Sequence, residues 1–141
     1  MRYIEILLLA PWRIRLSKTN NGYPFASAKQ VQVAIPVSFI TQKILIQDAR
    51  DRKERVKDIL YIHDTIEIFA GNLAELRGLF AKDLRPKLLG KRARAVSSAA
   101  DALFGGVDDT IRDAAQMAIG RKLIPETLTE TCRAGLKAIF E

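Results

Sequence analysis

The sequence predicts an α+β fold, with a small, mostly antiparallel N-terminal sheet followed by a predominantly helical portion. Apolar and polar residues alternate near the N-terminus, which is the period of a half-exposed strand. From about residue 38 onward, apolar residues recur every three to four positions, as in amphipathic helices. The chain has 141 residues, of which 48% are hydrophobic. It is therefore long enough for one domain with a modest core.

Three strands are expected within residues 3–35. Residues 3–9 form a nearly continuous apolar run, which we interpret as a buried strand. Residues 12–16 and 30–35 alternate between polar and apolar side chains, as strands with one exposed face do. Asn21 and Gly22 favour a tight turn between strands.

The rest of the chain is predicted to be helical. Ser38 stands where it can cap a first helix that runs to about residue 48. A second helix is expected over about residues 52–69, ending at the glycine Gly71. Further helical segments are expected at residues 73–80, 86–104, 107–119 and 125–140.

A net charge of +7 and a pI near 9.8 indicate an anionic partner or substrate. The excess is concentrated in a basic segment, residues 77–94, where Asp83 is the one counter-charge. This segment is either a solvated helical face or a surface that contacts nucleic-acid phosphates, although it has no aromatic residues to stack on bases. Its nucleic-acid contact residues would be Arg85, Lys87, Lys91, Arg92 and Arg94.

The cysteine content and the hydropathy of the N-terminus favour a cytoplasmic protein. The single cysteine, Cys132, cannot form an intramolecular disulfide, which suits a cytoplasmic protein. The apolar run near the N-terminus is interrupted by Glu5 and is too short to span a bilayer, so no membrane partner is expected.

Charged residues on the second predicted helix have two interpretations. Lys57 and Tyr61 are four residues apart and share a helix face, and Asp58 lies beside them. Lys43 is the unusual member, because its neighbours in the sequence are apolar. The cluster is either a solvated polar stripe or part of a cleft that binds phosphate. In the second case Lys43, Lys57, Asp58 and Tyr61 would face one shared concavity.

The stretch "IPVSFITQKILIQDARDRKERVKDILYIHDTIEIF" (residues 35–69) resembles a known family. It looks like the second half of nucleotidyltransferase-fold proteins of the polymerase-beta-like superfamily, in particular bacterial nucleotidyltransferase-like proteins, including the abortive-infection toxin type. The shared pattern is an apolar helix with a lysine, a basic stretch, and then Lys-Asp-x-x-Tyr. The resemblance covers about residues 2–70.

The resemblance implies roles for individual residues. Glu5 would be the third metal-binding carboxylate, with a catalytic role, and Asp58 would belong to the second helical motif of the catalytic site. Lys43, Lys57 and Tyr61 would bind the nucleotide, with Mg²⁺ and a nucleoside triphosphate as cofactor and substrate. Residues 1–70 would form a partial nucleotidyltransferase-like region, and residues 71–141 a helical region packed with it as one domain.

The sequence also departs from the family pattern. The signature of the family is a Gly-Ser dipeptide followed by a strand with Asp-x-Asp. Neither occurs in these 141 residues. The two aspartates carry the metal ions for phosphoryl transfer. We therefore expect the chain to lack the catalytic half, to be inactive alone, and to bind neither Mg²⁺ nor a nucleotide without help. An upstream-encoded partner, or a second copy in a homodimer, would pair across the N-terminal sheet.

Two alternatives from other functional classes stay open. The chain could be a non-catalytic interaction or regulatory domain that binds its partner through an exposed sheet edge. It could also be a basic helical protein that binds nucleic acid through residues 77–94.

Overall fold

The computed structural model describes residues 3–22, 24 and 27–141. Its main elements, in chain order, are α1 (Ile4–Leu7), β1 (Trp12–Leu16), α2 (Lys18–Asn21), β2 (Lys29–Val33), α3 (Pro36–Leu45), α4 (Arg52–Ile68), α5 (Leu73–Leu79), α6 (Gly90–Leu103), α7 (Asp109–Met117) and α8 (Pro125–Phe140). Short 3₁₀ turns at Gln47–Ala49, Ala70–Asn72 and Arg85–Lys87, and a π-helical turn at Phe80–Leu84, connect the helices.

The predicted α+β class is confirmed. β1 and β2 form a two-stranded antiparallel sheet in which Trp12 pairs with Val33 and Leu16 pairs with Lys29. Helices α3 to α8 follow and make up most of the described chain. None of the helices in the described residues is long and apolar enough to cross a membrane.

The strand predicted for residues 3–9 is wrong. This segment is a helical turn, α1, that packs on α3 and buries Ile6 completely. Its backbone N–H groups find acceptors locally, for example from Leu8 to the carbonyl oxygen of Glu5 at 3.1 Å. No other strand lies beside the segment in the described part of the chain. A lone strand there would leave its N–H and C=O groups unpaired, and the helical turn avoids that cost.

The connection between the strands also differs from the predicted tight turn. Ser17 caps the short helix α2 because its Oγ accepts a hydrogen bond from the backbone N–H of Asn20 at 3.1 Å. The helix ends at Gly22, whose φ of 64° is in the left-handed region that glycine tolerates best. Residues 23, 25 and 26 of the expected turn region lie outside the described residues.

The start of α3 corrects another prediction. Pro36 occupies the first turn, and Ile35, not Ser38, is the N-cap residue. Ser38 is buried within the helix, where its Oγ donates a hydrogen bond to the backbone carbonyl of Leu9 at 3.3 Å. This bond ties the chain segment that precedes β1 to the start of the helical body.

A single hydrophobic core runs through the helical body. It extends from Ile6 in α1 to Ile139 in α8 and includes the buried face of α4 that the sequence indicated, with Val56, Ile59 and Ile62. No residue of β1 or β2 belongs to this core. The sheet therefore contributes no side chain to the core. The candidate site lies instead at the pair of helices α3 and α4.

The crossing of α4 and α8 depends on one glycine. A Cβ atom built on Gly135 would lie 2.5 Å from Cγ2 of Ile66, a methyl group held close to the α4 backbone. A glycine is needed here because the two helices approach more closely than a side chain allows.

We predict that Gly135→Ala lowers the free energy of unfolding by about 1–3 kcal/mol, because overpacking outweighs the better helix propensity of alanine. Gly78→Ala in α5 is the matched control, since a Cβ there meets nothing within 4 Å. That variant should be neutral or slightly stabilising. Urea denaturation of both variants measures the difference, and equal effects would contradict the close approach.

Candidate functional site

A buried carboxylate, Asp58, lies at the centre of the candidate site. Its residue is 2% exposed, so almost no water remains to solvate the carboxylate. The Lys43 amine is 2.6 Å from one carboxylate oxygen. The Arg50 Nε–H donates to the other at 3.2 Å. Two cations from outside helix α4 thus compensate the desolvation of one carboxylate.

Lys43 reaches Asp58 from α3 between two aromatic rings. Its amine lies 5.4 Å from the ring centroid of Phe39 and 5.5 Å from that of Tyr61, within the range of cation–π contacts. The apolar neighbourhood seen in the sequence is therefore real, but the side chain does not extend to solvent. It is 12% exposed and turns inward to the carboxylate.

The expected shared concavity is present. A small concavity of about 140 Å³ is lined by Lys43, Arg50, Glu54, Lys57, Asp58 and Tyr61. All four sequence-predicted residues, Lys43, Lys57, Asp58 and Tyr61, line it together. Three of the six carry positive charge and two carry negative charge. The volume is well below the roughly 300–1,000 Å³ of pockets that enclose a whole small ligand.

Local sequence sets where α4, the helix that carries Lys57, Asp58 and Tyr61, begins. Asp51 caps the helix, because its side chain accepts a hydrogen bond from the backbone N–H of Glu54 at 2.8 Å. Arg50 and Glu54, which line the site but were not among the predicted site residues, form an ion pair at 2.8 Å. For Glu54 the spacing was the available signal, since residues 54 and 58 are four apart on one face of α4.

Glu5 lies apart from this concavity. Its carboxylate forms an ion pair with Arg92 at 2.7 Å, and the guanidinium of Arg92 also covers the ring of Tyr3 at 4.8 Å. The pKa of Glu5 is lowered, first by a hydrogen bond from its own backbone N–H and then by Arg92. Glu5 does not line the site with Lys43 and Asp58.

The carboxylates do not assemble a metal site. No group of three or more His, Cys, Asp or Glu side chains in the described residues could hold a metal ion. Glu5 faces Arg92, and both oxygens of Asp58 are occupied by cations. The carboxylates of the described residues therefore do not fit a bound Mg²⁺.

The basic segment is only partly available for a partner. Arg77 donates a hydrogen bond to the backbone carbonyl of Glu141 at 2.8 Å, and Arg92 is held by Glu5. The remaining predicted contact residues are exposed and form no ion pair within the part of the chain that the structure describes: Arg85, Lys87, Lys91 and Arg94.

His63 and Cys132 are interior residues. His63 is 3% exposed, and its Nδ1 lies 3.1 Å from a carboxylate oxygen of Asp64. Cys132 is fully buried, and this burial raises the pKa of its thiol. A buried, protonated thiol is a poor nucleophile, and Cys132 is a member of the hydrophobic core.

Comparison with protein-family models, with curated proteins and with solved structures gives no match for this chain.

We predict that Asp58→Ala lowers the free energy of unfolding by about 3–5 kcal/mol, because it leaves the largely buried Lys43 ammonium without its counter-charge. Asp109→Ala is the matched control, since Asp109 forms an exposed ion pair with Arg112 at 2.8 Å. Its loss should cost less than about 1 kcal/mol. Chemical denaturation compares the two variants, and a small effect at Asp58 would show that the cluster is not structurally important.

Proposed function

We propose that this chain is nucleotidyltransferase-like and supplies phosphate contacts to a nucleotide, while the metal-binding carboxylates of the reaction come from outside these 141 residues. The observation that carries the proposal is the cationic concavity around Asp58, with Lys43 held at its base and Lys57 at its margin. Ammonium and guanidinium groups facing one recess are the chemistry that binds phosphate oxygens.

The two lysines would act differently. Lys57 is exposed and has no ion-pair partner among the described residues, so its charge is available to a phosphate group. Lys43 already neutralises Asp58, and its ammonium has three N–H donors, of which the carboxylate takes one. It would offer a fixed hydrogen-bond donor. Tyr61, 47% exposed, flanks the recess with a phenol and a ring face.

Asp58 would position Lys43 and would not take part in chemistry. Both of its carboxylate oxygens already face cations, Lys43 and Arg50, so neither is free to contact a substrate. The geometry therefore supports a positioning role in place of the catalytic role that the resemblance implies.

The size of the recess limits what this chain can bind. At about 140 Å³ it can receive part of a triphosphate, and not a whole nucleotide. The nucleoside would contact surfaces outside the recess. This agrees with a chain that supplies one wall of a larger site, the other walls coming from a homodimer partner or an upstream-encoded partner.

We predict that the chain binds inorganic tripolyphosphate at this recess, and that Lys57→Gln weakens the affinity by about tenfold or more, as loss of a charge-assisted hydrogen bond would. Lys53→Gln is the matched control, because Lys53 is exposed on the same helix but does not line the recess. Isothermal titration calorimetry at low salt measures both. No binding, or equal losses in the two variants, would contradict the proposal.

We also predict that the isolated chain transfers no nucleotide from labelled ATP, CTP, GTP or UTP to RNA or protein in the presence of Mg²⁺ or Mn²⁺. The physical reason is that its carboxylates do not converge on a metal ion. Metal-dependent labelling that survives Glu5→Ala would contradict this expectation.

A further inference from the structure

The two strands and the short helix α2 form a β-ribbon (residues 12–22 and 29–33) that is anchored at its base and free along its length. The chain enters it from Leu9 and Ala10, which pack on the core, and leaves it at the buried Ile35. Neither strand packs extensively on any helix in the described residues. Five paired residues per strand give the ribbon a length of about 17 Å.

The register gives the β-ribbon two different faces. Directly paired residues share a face, so Arg13 with Gln32 and Arg15 with Gln30 form one polar face. All four of these side chains are exposed. The opposite face carries Trp12, Ile14, Leu16, Val31 and Val33, and it ends at Lys29, which pairs with Leu16.

The charge of the β-ribbon is entirely positive. Its cations are Arg13, Arg15, Lys18 and Lys29, and the sequence has no aspartate or glutamate from residue 6 to residue 47. None of the four cations forms an ion pair within the described part of the chain. Some other surface cations are balanced by acids, for example Arg52 by Asp113. An unbalanced cationic surface of this kind is complementary to a polyanion.

We propose that the polar face of the β-ribbon binds double-stranded DNA through the major groove. That groove is about 12 Å wide and admits a two-stranded ribbon. Arginine pairs with guanine edges and glutamine with adenine edges, and these are the two residue types that alternate on this face. Lys18, which follows the end of β1, would contact a phosphate.

Other polyanions fit the β-ribbon less well. The major groove of an RNA duplex is too deep and narrow for side chains to read. Single strands need aromatic side chains to stack on their bases, and Trp12 lies on the opposite face from Arg13 and Arg15. A membrane surface contacts one face at a time, so insertion of the apolar face would point both arginines away from the lipid headgroups.

The test is fluorescence anisotropy with a labelled DNA duplex of about 20 base pairs and mixed sequence, over a range of salt concentrations. Log K should fall linearly as log salt rises, because cations that meet the duplex release counterions. Arg13→Gln/Arg15→Gln should reduce the affinity by about tenfold or more, because it removes contacts to guanine edges. Methyl green, which occupies the major groove, should displace the protein, and the minor-groove ligand netropsin should not.

Two further variants keep the test decisive. Arg85→Gln/Arg94→Gln removes the same charge from the basic segment and should change the affinity by less than about twofold. Arg13→Lys/Arg15→Lys keeps the charge and should keep the salt slope. Circular dichroism and thermal melting should be unchanged in all three, because none of these arginines packs in the core.

Four outcomes would overturn the proposal: no binding to the duplex, an equal loss in the basic-segment variant, equally tight binding to duplex RNA, single-stranded DNA or anionic vesicles, or a concentration-dependent dimer that hides the β-ribbon. The proposal is independent of the phosphate recess, because Lys57→Gln leaves the β-ribbon intact and should not alter the binding of DNA.

Discussion

The buried ion pair between Lys43 and Asp58 is the interaction on which the candidate site depends. It joins α3 to α4 at a distance of 2.6 Å, in a position where water reaches neither group freely. An unpaired charge there would be costly, so each residue requires the other. Because Arg50 holds the second carboxylate oxygen, the position of the carboxylate is fixed from two sides. The shape of the recess beside the Asp58 carboxylate depends on this fixed position.

Charge is distributed in two different ways over this small protein. Around Asp58, cations are closely matched by carboxylates, which produces a rigid cluster with a small positive excess. On the β-ribbon, cations stand without any acid nearby in the sequence. The first arrangement suits a fixed contact with a small anionic group. The second suits a long polyanion whose binding depends on salt. The net charge of +7 is therefore spread over at least two surfaces, which differ in how far acids balance their cations.

Much of the fold could be predicted because local signals and tertiary packing agree. Helix α8 occupies the predicted residues, since Pro125 fixes its first turn and its apolar stripe is regular. Helix α4 begins where Asp51 can cap it. β1 was predicted from simple alternation. The co-location of Lys43 with Lys57 and Tyr61 also followed from helical spacing and from the apolar setting of one lysine.

The failures arose where tertiary context decides. An apolar run such as residues 3–9 is compatible with a strand and with a helical turn. Because no neighbouring strand is present in the described chain, the helical turn is favoured. Ser38 had the right chemistry for a cap, but Pro36 starts the helix two residues earlier. The role of Arg50 was not predicted, because its contact with Asp58 depends on the 3₁₀ turn at Gln47–Ala49 that precedes it. The partner of Glu5, Arg92, is distant in sequence and gave no local signal.

A double-mutant cycle on Lys43 and Asp58 tests the central claim most directly. The unfolding free energies of Lys43→Met, Asp58→Leu and the double variant give the coupling energy between the two side chains. A buried, mutually dependent pair predicts a coupling of about 2–3 kcal/mol, with the double variant more stable than the sum of the single losses implies. Additive losses, within about 0.5 kcal/mol, would contradict the claim that this pair holds α3 and α4 in the geometry of the site.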